Sequence, residues 1–522
     1  MTRTSNRWWA QRAALALAMV AATLPLWFVR LPPLIDLLGH MGRYHVEANL
    51  AHSPELAAHW AYHWRLIGNL GGDLIMALVV PWLGAERSAV ILGGLILVVM
   101  MSGMVRLSRA AHGQLAPTVW AAFLLAMSYP WHYGLVNYWL GVGLALHAAA
   151  FVWPMRPDPR HAVWLGILSF GLWTAHIYGW AIFTILIVAR SLTQSSLAQW
   201  PRRCVGLLPL GVPLLVMAAA RYGTHGSSAQ TLGWFQWEYK AVSFSWTFRD
   251  QIQLLDLSTL LAVIILIVGG CVSRRLRIDR ALGVAALLLL AAVILLPYQL
   301  FGSAYADGRL WPVVLLIAVL AIRPAEPDSR LSLEIATIAA VLFVARLAFT
   351  TIGFQAYDTI YAKHLAAIER VPRGAQVAVF VDFPCNVEWR RPRLEHLDGA
   401  AIARRDLFTN GQWDVPGAEL LVPLAARGTN YNSDPSELVR SCNGNAVQAV
   451  GAEIARFPRD RFDYVWLIGY RPATLPRYPG LSPAFADAQT ILYRVDHDPP
   501  AVDRRTLLQR SRMPARAPSP AQ

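Results

Sequence analysis

Residues 31–73 read LPPLIDLLGHMGRYHVEANLAHSPELAAHWAYHWRLIGNLGGD. The stretch follows an apolar run at 11–28 and is far too polar to cross a bilayer, whose core demands about 20 consecutive apolar residues. Further apolar runs follow it. A polar stretch bracketed in this way lies on a membrane surface. That placement decides the fold class: a polytopic α-helical membrane protein whose first loop is long and carries polar helices of its own.

Composition agrees. Of 522 residues, 56% are hydrophobic and 15% charged, and the mean hydropathy is +0.39. A soluble chain of this length carries more charge. Lys+Arg number 46 against 32 Asp+Glu, a net +14, which in a soluble protein would point to nucleic acid. Here much of the arginine sits in short loops between apolar runs. The charge is therefore read as a set of topology determinants in contact with anionic membrane lipid, with no nucleic acid as partner. No Walker loop, nucleophile elbow or HExxH is present.

Hydropathy places spans near 11–28, 87–106, 115–129, 134–153, 162–175, 177–190, 204–220, 257–273, 281–297, 310–323 and 332–352, about 11 transmembrane helices. Ala21-Ala22 leaves a cleaved signal peptide as the alternative for the first of them. With the N-terminus cytoplasmic, Arg106, Arg109, Arg156, Arg160, Arg190, Arg202, Arg203, Arg274, Arg275, Arg277, Arg280, Arg323 and Arg330 all fall in inner loops, as the positive-inside rule asks. The alternation holds under two conditions. Segment 73–84 must be a surface helix, and the run 162–190 must be two passes turning near His176. The location expected is a bacterial-type inner membrane.

From residue 353 the long apolar runs stop. QVAVFVDF (376–383), DYVWLIGY (463–470) and TILYRV (490–495) read as strands, and 357–371 as an amphipathic helix. The expected organisation is a transmembrane domain over 1–352 with a first outer loop at 29–86, a small α/β extracytoplasmic domain over 353–498, and a disordered basic tail over 499–522. In a periplasmic setting Cys385 and Cys442 can form a disulfide, with two free thiols as the alternative.

Asp36, His40, Arg43 and Glu47 fall at i, i+4, i+7 and i+11, one face of a helix. A solvated helix face has the same pattern. Asp36 stands out by position: it follows Pro32-Pro33 just past the first span, where a partly buried carboxylate can act as a general base. Asp73 is the second-choice acid.

With Asp36 in PPLIDLLGH, the short helix at 73–84 and the basic RLSR at 106–109, the chain resembles the GT-C superfamily of membrane glycosyltransferases. That class includes the protein O-mannosyltransferases and the bacterial aminoarabinose transferases. The likeness runs over nearly the whole chain as a plan: one span, an outer loop with an acidic residue, more spans, an outer domain. Many members carry two adjacent acidic residues, whereas here Leu37 follows Asp36. The resemblance implies inverting transfer from a polyprenyl-phosphate sugar donor to an outer-face acceptor, a glycolipid, polysaccharide or protein. A transporter or lipid flippase, or a non-catalytic envelope assembly protein, is the alternative.

A phosphate leaving group needs cations. Arg309 is the first candidate, with Arg43 and Lys240 behind it; an interfacial Arg309 paired with Asp307 is the competing reading. His176, Tyr133 and Asn137 at outer turns are pocket candidates alongside His40, Asp73 and Asp307. The sequence identifies no cofactor. A divalent metal is a weak alternative on Glu55, His59 and His63, whose spacing of four would put them on one helical face.

Overall fold

The computed structural model describes residues 7–194, 200–221, 231–300, 303–382, 388–414, 419–431, 439 and 446–497. Among these, four helices are long and apolar enough to cross a membrane: Ala85–His112, Ile177–Gln194, Gln253–Val272 and the helix beginning at Arg330. Shorter apolar helices accompany them at Arg12–Ala22, Gly71–Leu83, Val136–Val152, Arg203–Ala219, Arg280–Leu295 and Gly308–Ala321. Leucine, isoleucine and valine on the outer faces of these helices, such as Leu95, Ile167, Leu215, Ile265, Leu287 and Val341, are exposed. A bundle that leaves such a belt uncovered is shaped for lipid.

The expected span at 115–129 is not a spanning helix. It holds one five-residue helix, Val119–Phe123, set in tight turns, and its residues are buried. Apolar composition reports burial, and burial in protein and burial in lipid look alike in hydropathy. Gly71–Leu83 is amphipathic, with Asp73, Met76 and Val80 inward while Leu78 and Trp82 are 74% and 85% exposed. The long apolar run divides into Pro159–Ala175 and Ile177–Gln194, with His176 extended between them.

The strands in chain order are β1 (Trp60–Tyr62), β2 (Leu276–Ile278), β3 (Ile322–Pro324), β4 (Gln376–Val381), β5 (Phe408–Thr409), β6 (Leu421–Pro423), β7 (Tyr464–Ile468), β8 (Leu481–Asp487) and β9 (Thr490–Val495). β4, β7 and β9 fall where the three expected strands lie. They belong to a sheet of order β5-β4-β7-β9-β8, parallel at β5-β4-β7 and antiparallel beyond. Alternation along β4 explains its place at the centre. Val377, Val379 and Val381 join the core continuous with the helical bundle, while Ala378 and Phe380 join a second core on the far face. A strand buried on both faces suits a parallel pairing.

Helix Arg330–Leu365 runs 36 residues without a break, so the change of composition at 353 lies inside one rigid element that carries the sheet. At the other end of the bundle, β2 pairs with β3 and Arg7 pairs with Asp328. The N-terminal segment and the loops at 274–280 and 322–330 thus gather at one end. Cys385, Cys442 and the tail from 499 lie outside the described residues.

Candidate functional site

Helix Ile35–Asn49 is the floor of the site. The four residues expected on one face are on one helix, but the helix is not a solvated one. Gly39 and Gly42 let the segment 398–413 settle onto it: a Cβ at Gly39 would come within 2.8 Å of Trp413, and one at Gly42 within 3.0 Å of Gly399. Gln412 donates to the Gly39 carbonyl at 3.0 Å. The helix is thereby covered by the segment 398–413.

Asp36 lies in the first turn, where unpaired backbone N–H groups favour an anion. Its own N–H donates to the Tyr133 carbonyl at 2.8 Å. Gly134 makes that approach possible, since at φ +81 any Cβ would press on the backbone of Asp36 and Leu37. Among the described residues no donor is hydrogen-bonded to the Asp36 carboxylate. The residue nonetheless keeps some accessible surface. Burial pushes its pKa up to about 7, against the opposing pull of His396, Arg309 and Arg391, with Glu395 adding to the rise. A carboxylate near neutrality can take and return a proton.

Two arginines bracket it. Arg309 is buried in a short turn, Gly308–Leu310, that leads into the Trp311–Ala321 helix. It donates to the carbonyls of Ala304 at 2.6 Å and Tyr305 at 3.3 Å, and to the Ser303 hydroxyl at 3.4 Å. It also sits 5.7 Å and 5.9 Å from the ring centres of Tyr138 and Tyr178. Arg391 is supplied by the segment 388–396. It pairs with Glu395 at 3.0 Å and lies 5.1 Å from the Tyr133 ring. Beside Ile35, a narrow cavity of about 20 Å³ opens between Tyr129, Tyr133, Arg249, Trp389 and Arg391, room for about one water molecule.

Arg391, Glu395, His396 and Trp413 are the site residues that sequence reasoning passed over. Segment 388–396, EWRRPRLEH, is dense in arginine, and that density was the available signal. Its backbone is anchored deep in the protein. Arg393 has φ +56 and donates to Asp250 at 2.7 Å and to the Pro33 carbonyl at 2.9 Å. His396, at φ +60, packs against Trp413 with ring centres 4.4 Å apart and the rings tilted at 48°, and Trp413 also lies 4.9 Å from the His40 ring. Burial, with Arg43 and His396 nearby, holds His40 well below the usual histidine range, so it is neutral.

Several expected site residues are engaged elsewhere. Arg43 is buried in an ion pair with Asp73 at 3.0 Å and a second with Glu419. Asn137 joins that network through Asp73 and Asn69, tying helix Gly71–Leu83 to helix Val136–Val152. Glu47 lies alongside, its pKa pushed up to about 8 by burial and by Asp73. Asp307 is paired with Lys240 rather than with Arg309, and the ammonium also donates to the carbonyls of Val293 and Leu296. All three of its protons are used. His176 accepts from the Tyr178 N–H at 3.1 Å and meets the Tyr138 ring edge-on, beside Arg309. The helical face proposed for Glu55, His59 and His63 does not form, because the helix ends at His59 and β1 begins at Trp60. His59 is hydrogen-bonded to the Gly374 carbonyl. Among the described residues no group of three His, Cys, Asp or Glu is placed to hold a metal.

The described residues form a mostly helical fold with four helices long and apolar enough to cross a membrane and a five-stranded sheet. In comparisons with known proteins, no family model and no curated protein matches the chain. The chain is similar to two cryo-EM classes of a mutant arabinofuranosyltransferase AftD from Mycobacteria, with TM-scores of 0.46 and 0.43 and 15% identity. The match covers 94% of this chain and 42% of that one, so the chain spans less than half the length of the protein it matches.

Proposed function

We propose that the protein is an integral-membrane glycosyltransferase of inverting type, using a polyprenyl-phosphate sugar donor and an acceptor hydroxyl on the outer face of the membrane. The observation that carries this reading is the Asp36 carboxylate: on a partly exposed residue, hydrogen-bonded to no described donor, poised near neutrality and within electrostatic reach of two arginines. In the reaction the acceptor oxygen attacks the anomeric carbon and loses its proton to Asp36. The bond from that carbon to the phosphate oxygen breaks, and polyprenyl phosphate leaves with the electron pair. Arg309 and Arg391 supply positive charge where the phosphate becomes more anionic, and a guanidinium can grip two phosphate oxygens at once. Lys240 takes no part in this scheme because its three donors are used within the protein, and Arg43 takes none because it is buried in ion pairs with Asp73 and Glu419. His40, His396 and Trp413 form an aromatic wall on which a sugar ring can rest.

The face carrying Asp36 is assigned to the outside, with the N-terminus cytoplasmic, because the arginine-rich loops gather at the other end. The test is transfer by the purified protein from a defined polyprenyl-phosphate sugar to a hydroxyl acceptor, followed by mass spectrometry. Wild type is expected to yield glycosylated acceptor and free polyprenyl phosphate in equal amounts, and Asp36→Asn neither. Full transfer by a folded Asp36→Asn protein would remove the carboxylate from the mechanism and this reading with it.

A further inference from the structure

A second cavity lies away from Asp36. It has a volume of about 340 Å³ and is lined by His112, Thr193, Arg277, Arg280 and Arg323, with Asp279 among them. Helix Ala85–His112 fixes its position. Near the start of that helix Glu86 pairs with Arg404 of the α/β domain, and its last residue, His112, lines the cavity. Twenty-eight residues separate the two ends, about 40 Å of helix. The cavity is therefore at the opposite membrane face from the carboxylate site.

Its arginines are arranged at an electrostatic cost. Arg277 and Arg323 are cross-strand partners in the β2-β3 ribbon, which sets their Cβ atoms about 5 Å apart on one face, where like charges repel. Neither is in an ion pair among the described residues. Arg280 occupies the first position of helix Arg280–Leu295, where the helix dipole disfavours a cation. The one carboxylate in the lining, Asp279, accepts from the Leu282 N–H at 2.9 Å as the cap of that helix. Close by, Arg190 has its Nε buried with no hydrogen-bond partner. Three guanidinium groups thus line a cavity with one acid, itself engaged; Arg277 and Arg280 are exposed and Arg323 is partly so, which leaves all three open to an anion that enters it.

We infer that this cavity binds a phosphate group, gripped by Arg277 and Arg323 and closed by Arg280. The opening lies at the membrane face, where the phosphate of an anionic lipid headgroup is the abundant source; soluble phosphate is the other source of the same chemistry.

The experiment uses the full chain in detergent, with phosphatidylglycerol, phosphatidylcholine or inorganic phosphate as probes. Lipid retention is read by native mass spectrometry and stability by thermal unfolding. Wild type is expected to retain phosphatidylglycerol over phosphatidylcholine. Arg277→Gln/Arg323→Gln is expected to weaken retention by roughly tenfold or more while melting no lower than wild type in phosphatidylcholine, since a repulsion is removed. Arg280→Gln, which also relieves the helix terminus, gives the same direction of change in a variant with little reason to misfold. Arg274→Gln/Arg275→Gln removes equal charge from exposed positions outside the cavity and is expected to leave retention unchanged. Stabilisation by inorganic phosphate that both cavity variants abolish, without selective lipid retention, assigns the site to soluble phosphate. Equal retention by wild type and both cavity variants with no phosphate effect, or equal losses in the cavity and control pairs, overturns the inference.

Discussion

The Arg309 guanidinium lies close enough to the Asp36 carboxylate to oppose the rise in pKa that burial imposes on it. The two residues sit on elements from opposite halves of the chain, a surface helix after the first span and a turn leading into a late apolar helix. Their approach makes the carboxylate and the arginine one electrostatic unit.

That unit predicts a pH dependence. Asp36 serves as base in its ionised form, so transfer should rise with pH through about 7 and level off above. Asp36→Asn should reduce the rate by about 10²–10⁴ at pH 8, the range of a lost general base. Initial rates over pH 5–9 check both. A flat profile in wild type would be incompatible with this role for Asp36.

Stability should move in the opposite direction. Burial raises the Asp36 carboxyl above its unfolded value of about 4, so the folded state holds the proton more tightly. The resulting stabilisation is complete below about pH 4 and is lost as pH rises through about 7. Asp36→Asn cannot ionise and is expected to be more stable than wild type at pH 8, by on the order of 2 kcal/mol. Near pH 4 the two should unfold alike. Thermal unfolding at both pH values tests this without any substrate.

Arg309→Gln and Arg391→Gln are expected to lower transfer by about 10²–10³, as for the loss of one charge-stabilising group. Each should also shift the rising limb of the pH profile upward by about one unit, because a cation that held the Asp36 pKa down is gone. The shift separates an electrostatic role at the site from general damage to the fold, which would lower the rate without moving the limb.

Much of the frame was legible in the sequence because it rests on local pattern. The helix from Asp36 to Glu47 is a spacing of three and four; the break at His176 is a polar residue amid apolar ones; β9 is the expected TILYRV itself. Two features were not legible. The segment at 115–129 is apolar because it is buried in protein, and hydropathy does not distinguish that from lipid. The site's second wall, with Arg391, Glu395 and His396, is assembled by a loop whose backbone takes up positive φ at Arg393 and His396, held there by contacts with Pro33, Asp250 and Trp413. Nothing local in EWRRPRLEH announces those partners. The same holds for Arg43 and Lys240, whose charges read as available until the structure supplied their carboxylates.

The buried network around Arg43 gives the last prediction. Arg43 answers two acids, Asp73 at 3.0 Å and Glu419, and joins helix Ile35–Asn49 to helix Gly71–Leu83 and to the segment beginning at Glu419. Removing the arginine leaves both carboxylates buried without it, and breaking a buried pair costs about 3–5 kcal/mol. Arg43→Ala should therefore destabilise the protein by at least that order. Asp73→Asn should cost less, since Glu419 still answers the arginine and the amide keeps a polar oxygen in place. If Asp73 is structural, the Asp73→Asn protein that remains folded should transfer sugar within a few-fold of wild type, with an unmoved pH profile. A loss as deep as that of Asp36→Asn, at unchanged melting temperature, would instead make Asp73 the base. Parallel measurement of transfer per folded molecule and of thermal unfolding in the three variants decides which of the two acids does the chemistry.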